Sequence, residues 1–520
     1  MDDLVTNPSY QSIADIPWQQ ARRNGAKIAL HFDGGSWSHA ELDRRSRAFA
    51  AFLASRGASR GARVAILLPN VPEFAAAYFG AIAAGCVAVP VNTRLSPPEI
   101  GYVVSDCAAS VLVTTPAQLQ KIAPLPEARS ISTFVVAAAG GEGGAIPFAQ
   151  AVDRDPLPSP EPVSPADVST LLYTSGTTGF PKGAMISHAN TLFNVSSCVA
   201  TLGYREDDVG LVSLPLFHVT ALHSQLVALL ACGATLVLQQ EYDTRRMLEL
   251  VSGRGATALF FVPAIYKLIT LRDDLARYDL SRVRLAAYGG APMDPETIRA
   301  IQRLIPAELH NCYGLTECSS LGTVLPADLA LSRAESVGRA VPGTEAQVRD
   351  ASGRPLPPGQ PGELFLRGPH IVKGYWGAPE KTAQAMGDGW LRTGDLARID
   401  EAGLVTILDR VKDMINRGGE KVYGLEVENV LYAFPGVAEA AVVGMPHPVF
   451  GEVPAAFVVP FPGTALEAEA IRKHCASRLA DYKVPVAVRF VEKLPRNPGG
   501  KVLKQELKRV WGSGPEEKAR

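Results

Sequence analysis

Cysteine is sparse and unpaired in this chain. Cys86, Cys107, Cys198, Cys232, Cys312, Cys318 and Cys475 stand singly, and no two form a C-x-x-C pair. That excludes a zinc ribbon, argues against a disulfide framework, and makes a reducing compartment the expectation. Net charge is also lacking. The 51 Lys and Arg residues nearly cancel the 52 Asp and Glu residues, leaving no broad field for nucleic acid or an anionic membrane. Long hydrophobic runs are missing too. The stretch from Leu226 to Leu238 is too short to span a bilayer and is broken by Gly233. It reads as a buried helix running into a strand. The opening Met1-Asp2-Asp3 lacks the basic region and apolar run of a secretory signal. The expectation is a cytoplasmic protein with no transmembrane segment and no nucleic-acid partner.

What is plentiful is turn-forming residues, with 47 Gly and 40 Pro. At 520 residues the chain exceeds what one core serves, so at least two domains are expected. The first third alternates strand and helix patterns. Arg63 to Leu68 is a β-rich run, and Val71, Phe74, Ala75, Tyr78, Phe79 and Ile82 then fall on one face of a helix. Val87 to Val91 and Ser110 to Thr114 read as further strands, which argues for a mostly parallel, helix-covered sheet. Similar alternation runs from Ser169 to about Val324. From about Ser336 to Arg410 short strands and turns predict a small β-barrel-like part. The last segment, from Val411, predicts a compact α+β unit: a helix over Gly424–Tyr432, strands at Glu439–Gly444 and Ala455–Pro460, a helix at Ala465–Leu479 and a strand at Ala487–Glu492.

The strongest chemical signal is the run Leu171-Leu172-Tyr173-Thr174-Ser175-Gly176-Thr177-Thr178-Gly179-Phe180-Pro181-Lys182-Gly183. An apolar strand enters a cluster of hydroxyls and glycines that ends in a lysine. Glycines let backbone N–H groups approach phosphate oxygens, and the hydroxyls and the lysine add donors. The common NTP-binding P-loop needs Gly before the Lys and Ser or Thr after it. Here Pro181 precedes Lys182 and Gly183 follows, which disfavours a P-loop kinase or GTPase.

That run resembles the signature of the AMP-binding, adenylate-forming superfamily, which includes acyl-CoA synthetases, adenylation domains and luciferases. Four further stretches, in the family's order, are similar to its other motifs: Tyr313-Gly314-Leu315-Thr316-Glu317, Gly389 to Asp395, Asp409 to Ile415 with Gly418-Gly419-Glu420, and Pro495 to Lys501. The resemblance covers the chain from about Leu171 to Lys501. It implies an α/β fold with a large N-terminal domain (1–410) that binds AMP and the acid. A small mobile α+β C-terminal domain (411–520) then carries the catalytic lysine.

The resemblance also implies roles. Thr174, Ser175, Gly176, Thr177, Thr178, Gly179, Lys182, Gly290, Ala291, Tyr313, Gly314, Thr316, Asp395, Arg410 and Lys501 would bind ATP or AMP. Catalysis would fall to Lys501, Thr174 and Glu317. Asp395 can accept both ribose hydroxyls, although a turn aspartate read alone is usually unremarkable. Thr174 and Glu317 would hold Mg²⁺, which takes one or two protein oxygens beside substrate phosphates. Lys501 would meet the negative charge that develops as a carboxylate attacks the α-phosphorus. Lys412 would be the hinge, and Gly418, Gly419 and Glu420 would shape the coenzyme A channel.

By the same resemblance the acyl pocket comprises His218, Thr220, Ser224, Val262, Gly289, Gly314 and Leu315. Amino-acid-activating relatives carry an Asp just after the residue matching Phe217, where this chain has His218, so an amino-acid substrate is disfavoured. No Arg lies in the segments Phe217 to Leu230, Phe260 to Tyr266 and Tyr288 to Pro292, which the resemblance assigns to this pocket, to pair with a second carboxylate. The remaining lining is apolar, and the glycines leave either a deep slot or room for a flat ring. The expectation is a carboxylate–CoA ligase using ATP, Mg²⁺ and coenzyme A on a medium- or long-chain fatty acid. The alternatives are an aryl acid of benzoate or cinnamate type, or a carrier-protein thiol as acceptor. An inactive nucleotide-binding regulator would be missing Lys501, Glu317 or Asp395, and all three are present. Partners are small molecules, with a homodimer left open.

Overall fold

The computed structural model describes residues 10–137, 144–174, 181–496 and 502–512. Among them, strands form four sheets of nine, seven, five and five members. The seven-stranded sheet is built on parallel pairs of Arg63–Leu67 with Val87–Pro90 and Val111–Thr114. Its edge is the antiparallel pair Val168–Thr174 and Lys182–Ser187. The nine-stranded sheet sets Val209–Val212, Ala258–Phe261, Leu285–Gly289 and Glu308–Tyr313 side by side in parallel.

One core fills the space between the two large sheets. It joins Val64, Ile66 and Ala88 of one to Leu236, Phe260 and Ala287 of the other, through Phe49, Phe74, Tyr78 and Leu226 on helices. The helix Pro72–Ala83 shows what this position demands. The hydrophobic pattern predicts one apolar face, yet Phe74 through Ala83 are all buried. The second face is made of small residues and packs against the helix His39–Ser55. A Cβ on Gly80 would stand 2.6 Å from the Ser46 carbonyl oxygen, so glycine is what permits that approach.

The third sheet is antiparallel and contains Glu345–Arg349, Gly362–Arg367, Trp390–Ile399 and Val405–Arg410. The small C-terminal domain has its own five-stranded sheet and its own core around Ile415, Val427, Leu431, Val442 and Ile471. Its helix Gly424–Tyr432 has the predicted bounds, and its two long strands run Val437–His447 and Gly451–Pro460. The helix expected over 465–479 is shorter, Ala468–Ala476, and a final helix Lys504–Gly512 follows. Among the described residues no helix is long and apolar enough to cross a membrane. The stretch 226–238 instead ends a π-helical segment, Thr220–Val227, and runs through Ala228–Ala231 into the strand Thr235–Leu238. All seven cysteines are free.

Candidate active site

The hairpin Val168–Thr174 and Lys182–Ser187 pairs Thr174 with Lys182 across its open end. Both residues therefore stand at the mouth of the Ser/Thr/Gly run. Ser175, Gly176, Thr177, Thr178 and Gly179 themselves lie outside the described residues. The hairpin is tied to its neighbour at both sides of the run. The Tyr173 hydroxyl donates to Asp106 Oδ2 at 2.5 Å, and the Tyr102 hydroxyl donates to the Pro181 carbonyl at 3.3 Å.

Glu317 reaches the same place from the nine-stranded sheet. The strand Glu308–Tyr313 ends at Gly314, and the 3₁₀ turn Thr316–Cys318 follows. Tyr375 joins the two. Its hydroxyl donates to Glu317 Oε1 at 2.8 Å, and the Lys182 ammonium stands 5.0 Å from its ring centroid. Burial, and then the Glu317 charge, push the Tyr375 phenol far above its ordinary value, so it stays protonated and donating. The hydroxyl of Thr174 and the carboxylate of Glu317 are hard oxygen donors of the kind magnesium takes, which fits that ion.

Tyr313, Asp395 and Arg410 form a second cluster. Asp395 and Arg410 are register partners in neighbouring antiparallel strands. Arg410 Nε lies 2.6 Å from Asp395 Oδ1, and the Tyr313 hydroxyl donates to Asp395 Oδ2 at 2.5 Å. Asp395 is only 3% exposed. A buried carboxylate with lone pairs on both oxygens is the kind of acceptor that ribose hydroxyls take. Gly314 and Thr316 sit between the two clusters in sequence, and Gly314 is exposed.

Of the residues expected at the acyl pocket, His218 precedes the π-helical segment and Thr220 and Ser224 lie on it. His218 is half-buried, with its ring 4.7 Å from that of Phe217. Burial, and secondarily the charge of Arg94, push it down to about 4, so it is neutral at pH 7. Thr220 opens the segment and is half-buried, as are Val262, Gly289 and Leu315. A Cβ on Gly290 would meet only Val262 Cγ1, at 3.9 Å, so the space beside Gly290 and the exposed Ala291 is open. The other two glycines differ. A Cβ on Gly289 would sit 2.4 Å from the Cys312 carbonyl oxygen, and one on Gly314 would sit 1.5 Å from the Ser320 carbonyl oxygen. Those spaces are filled by backbone. Ser224 is fully buried behind them. Its hydroxyl donates to Ser320 Oγ at 2.7 Å, and Asn194 Nδ2 donates to it at 3.4 Å. Ser319 and Ser320 hold φ of 55° and 120°, a strained pair of the kind found at ligand sites.

In the C-terminal domain, Gly418 and Gly419 turn the hairpin Ile415–Arg417 and Glu420–Val422 with φ of 61° and 99°. Arg417, Gly418, Glu420, Phe450, Asp481 and Tyr482 line a cavity of about 320 Å³ beside it. Lys412 is exposed just beyond the strand that ends at Arg410. Lys501 lies outside the described residues, while Arg496 and Val502 on either side of it pair with each other. Sequence reasoning missed Tyr375, Asn194 and Ser320. The Gly-Tyr-Trp at 374–376 was a possible signal for Tyr375, and the others had none.

Two helix-covered sheets, a small antiparallel sheet bearing an aspartate–arginine pair, and a small C-terminal α+β domain define an adenylate-forming α/β enzyme. The chain belongs to the AMP-binding enzyme family: residues 17–376 match the model for that enzyme and residues 426–501 match the one for its C-terminal domain. It is 37% identical to a feruloyl-CoA synthase of Amycolatopsis over 96% of this chain and 99% of that one. It is 35% identical to a long-chain-fatty-acid–CoA ligase of Mycobacterium tuberculosis over 92% and 93%. A crystal structure of an anthranilate CoA ligase with anthranoyl-AMP superposes with a TM-score of 0.91 at 27% identity, over 97% of this chain and 98% of that one. The protein is accordingly an AMP-forming acid–thiol ligase, and ATP and coenzyme A fit it as substrates.

Proposed function

We propose that the chain activates a compact, apolar aromatic monocarboxylic acid as its acyl-adenylate and passes the acyl group to coenzyme A. The carrying observation is the filling of the glycine spaces. A deep slot for a long aliphatic chain needs Gly289 and Gly314 to leave room behind them, and carbonyl oxygens occupy that room. The open space at Gly290 and Val262 suits a flat ring. The feruloyl-CoA synthase relative agrees with that reading, and the fatty-acid ligase relative keeps the aliphatic alternative in the test.

In the first step a carboxylate oxygen attacks the α-phosphorus, forming a P–O bond while the bond to pyrophosphate breaks. Thr174 and Lys182 would hold the phosphates, Asp395 and Arg410 the ribose, and Lys501 the charge developing at the reacting oxygens. Magnesium, held by Glu317 and Thr174, would neutralise phosphate charge. In the second step the coenzyme A sulfur attacks the acyl carbon and AMP leaves. The C-terminal domain, 411–520, would turn at Lys412 between steps, bringing the Gly418-Gly419 hairpin to the thiol channel. The cavity beside that hairpin offers Arg417, Phe450 and Tyr482 to a nucleotide, which supports free coenzyme A as acceptor.

The test is pyrophosphate release with MgATP and a panel of acids, from acetate to palmitate with benzoates, cinnamates, malonate and amino acids, each with and without coenzyme A. Release led by aryl acids, with thioester and AMP forming only when coenzyme A is present, is expected. Release led by palmitate would move the reading to fatty acids. Adenylate that never reaches coenzyme A would point to a carrier-protein thiol.

A further inference from the structure

Lys182 and Glu317 carry opposite charges on one small site. Left to themselves, such groups attract and neutralise each other, and each would then be lost to the nucleotide. Among the described residues neither is held in an ion pair. Tyr375 lies between them. Its position is fixed by backbone. Tyr375 bridges Ala184 in antiparallel register, Met185 N–H donates to the Gly374 carbonyl at 2.9 Å, and Trp376 N–H donates to the Gly183 carbonyl at 2.8 Å. The segment thus runs along the strand that starts at Lys182. On the other side, Val372 N–H donates to the Glu317 carbonyl at 3.0 Å. The ring can then take the ammonium on its face and offer its hydroxyl to the carboxylate.

We propose that Tyr375 is a positioning residue for adenylate formation, interposed between Lys182 and Glu317 so that the ammonium stays free for ATP phosphates and the carboxylate for their metal. This rests on the assignment of Lys182 and Glu317 to the phosphate site made above. The ring holds the ammonium by a cation–π contact, weaker than an ion pair, so a phosphate oxygen can displace it. The hydroxyl occupies one carboxylate oxygen and fixes the side-chain rotamer, leaving the second oxygen outward.

Tyr375→Phe keeps the ring and removes only the hydroxyl, so it tests the idea without a packing defect. Glu317 is then free to swing to Lys182. The measurements are kcat and KM for ATP in acid-dependent pyrophosphate exchange, MgATP binding by calorimetry, and transfer to coenzyme A from a synthetic acyl-adenylate. Tyr375→Phe is expected to slow exchange about tenfold and weaken MgATP binding, with transfer from the adenylate unchanged. In a Glu317→Gln background the same change should cost nothing more, because a neutral amide cannot neutralise Lys182. Tyr375→Leu, which also removes the ring, should lose more than Tyr375→Phe. An undiminished loss in the Glu317→Gln background, or an equal loss in the transfer step, would reduce Tyr375 to a structural residue and overturn the proposal. Wild-type exchange in Lys182→Ala and Glu317→Gln themselves would instead remove the phosphate assignment, and the proposal with it.

Discussion

Asp395 and Arg410 face each other across two antiparallel strands, with Arg410 Nε 2.6 Å from a carboxylate oxygen that is almost wholly buried. The arginine is the partly exposed member, at 32% of its side chain. Arg410→Ala would leave the Asp395 charge inside the protein without its guanidinium partner. A fully buried pair broken this way costs about 3–5 kcal/mol, and solvent access at Arg410 brings the expectation to about 1–3 kcal/mol. Urea unfolding measures it, alongside KM for ATP, which should rise. A variant as stable as the parent would show that the pair serves the ligand alone.

Gly314 and Gly290, both expected at the substrate site, should respond oppositely to the same methyl group. A Cβ at Gly314 falls 1.5 Å from the Ser320 carbonyl oxygen, a backbone atom that cannot step aside. Gly314→Ala is expected to lower thermal stability severely, or to give no folded protein. Gly290 has φ of +81° and open space in front of it. Gly290→Ala should cost only about 1 kcal/mol of backbone strain and fold normally. It should raise KM for bulky acids more than for small ones, because the added methyl points towards Val262. Equal melting temperatures for the two variants would contradict this account.

The difference between those glycines marks where the sequence stopped being informative. Periodicity was sufficient for the helix Gly424–Tyr432 and for the β-rich stretch before Arg410, since these follow local patterning and turn chemistry. Motif order also anticipated Tyr313, Asp395 and Arg410, which converge from sequence positions far apart. What lies behind a glycine is tertiary information. Gly289, Gly290 and Gly314 look alike in the sequence, and only the approach of the Cys312 and Ser320 carbonyls separates them. Tyr375 escaped for the same reason: a tyrosine in a Gly-Tyr-Trp turn declares nothing until the strand at Lys182 is seen beside it.

Lys504 joins the segments on either side of Lys412. Its ammonium lies 2.9 Å from Glu428 Oε1 with only 17% of the side chain exposed, and Asp409 is close enough that a Cβ on Gly424 would touch both. Burial raises the Asp409 carboxyl above its ordinary value even with that cation nearby. Lys504→Met removes the cation and leaves two buried carboxylates facing each other. At pH 8 the loss should be about 3 kcal/mol. The sign with pH is definite. An Asp409 carboxyl raised further in the folded state binds a proton there before the unfolded chain does, so the variant's deficit should shrink as pH falls towards 5. Urea midpoints of both proteins at the two pH values measure it, and a deficit that grows on acidification would exclude the cluster as its cause.

Buried histidines should set the acid limit of the fold. His39, His188 and His370 are each pushed down from 6.5 to about 4, by burial first in every case, and His223 to about 3. All four are almost fully buried. His188 shows the mechanism most directly: its Nδ1 accepts the Ile13 N–H at 3.2 Å, a bond that a protonated ring cannot accept. Between pH 6.5 and about 4 the unfolded chain binds protons that the folded chain refuses, so stability is complete above the unfolded value and falls as pH drops. Each such residue accounts for about 3 kcal/mol by pH 4. Urea midpoints should therefore fall steeply between pH 6.5 and 4.5. His188→Gln keeps an acceptor for Ile13 and removes the titrating group, so its decline should be shallower than the parent's. Parallel declines would mean that His188 is not among the residues that set the limit.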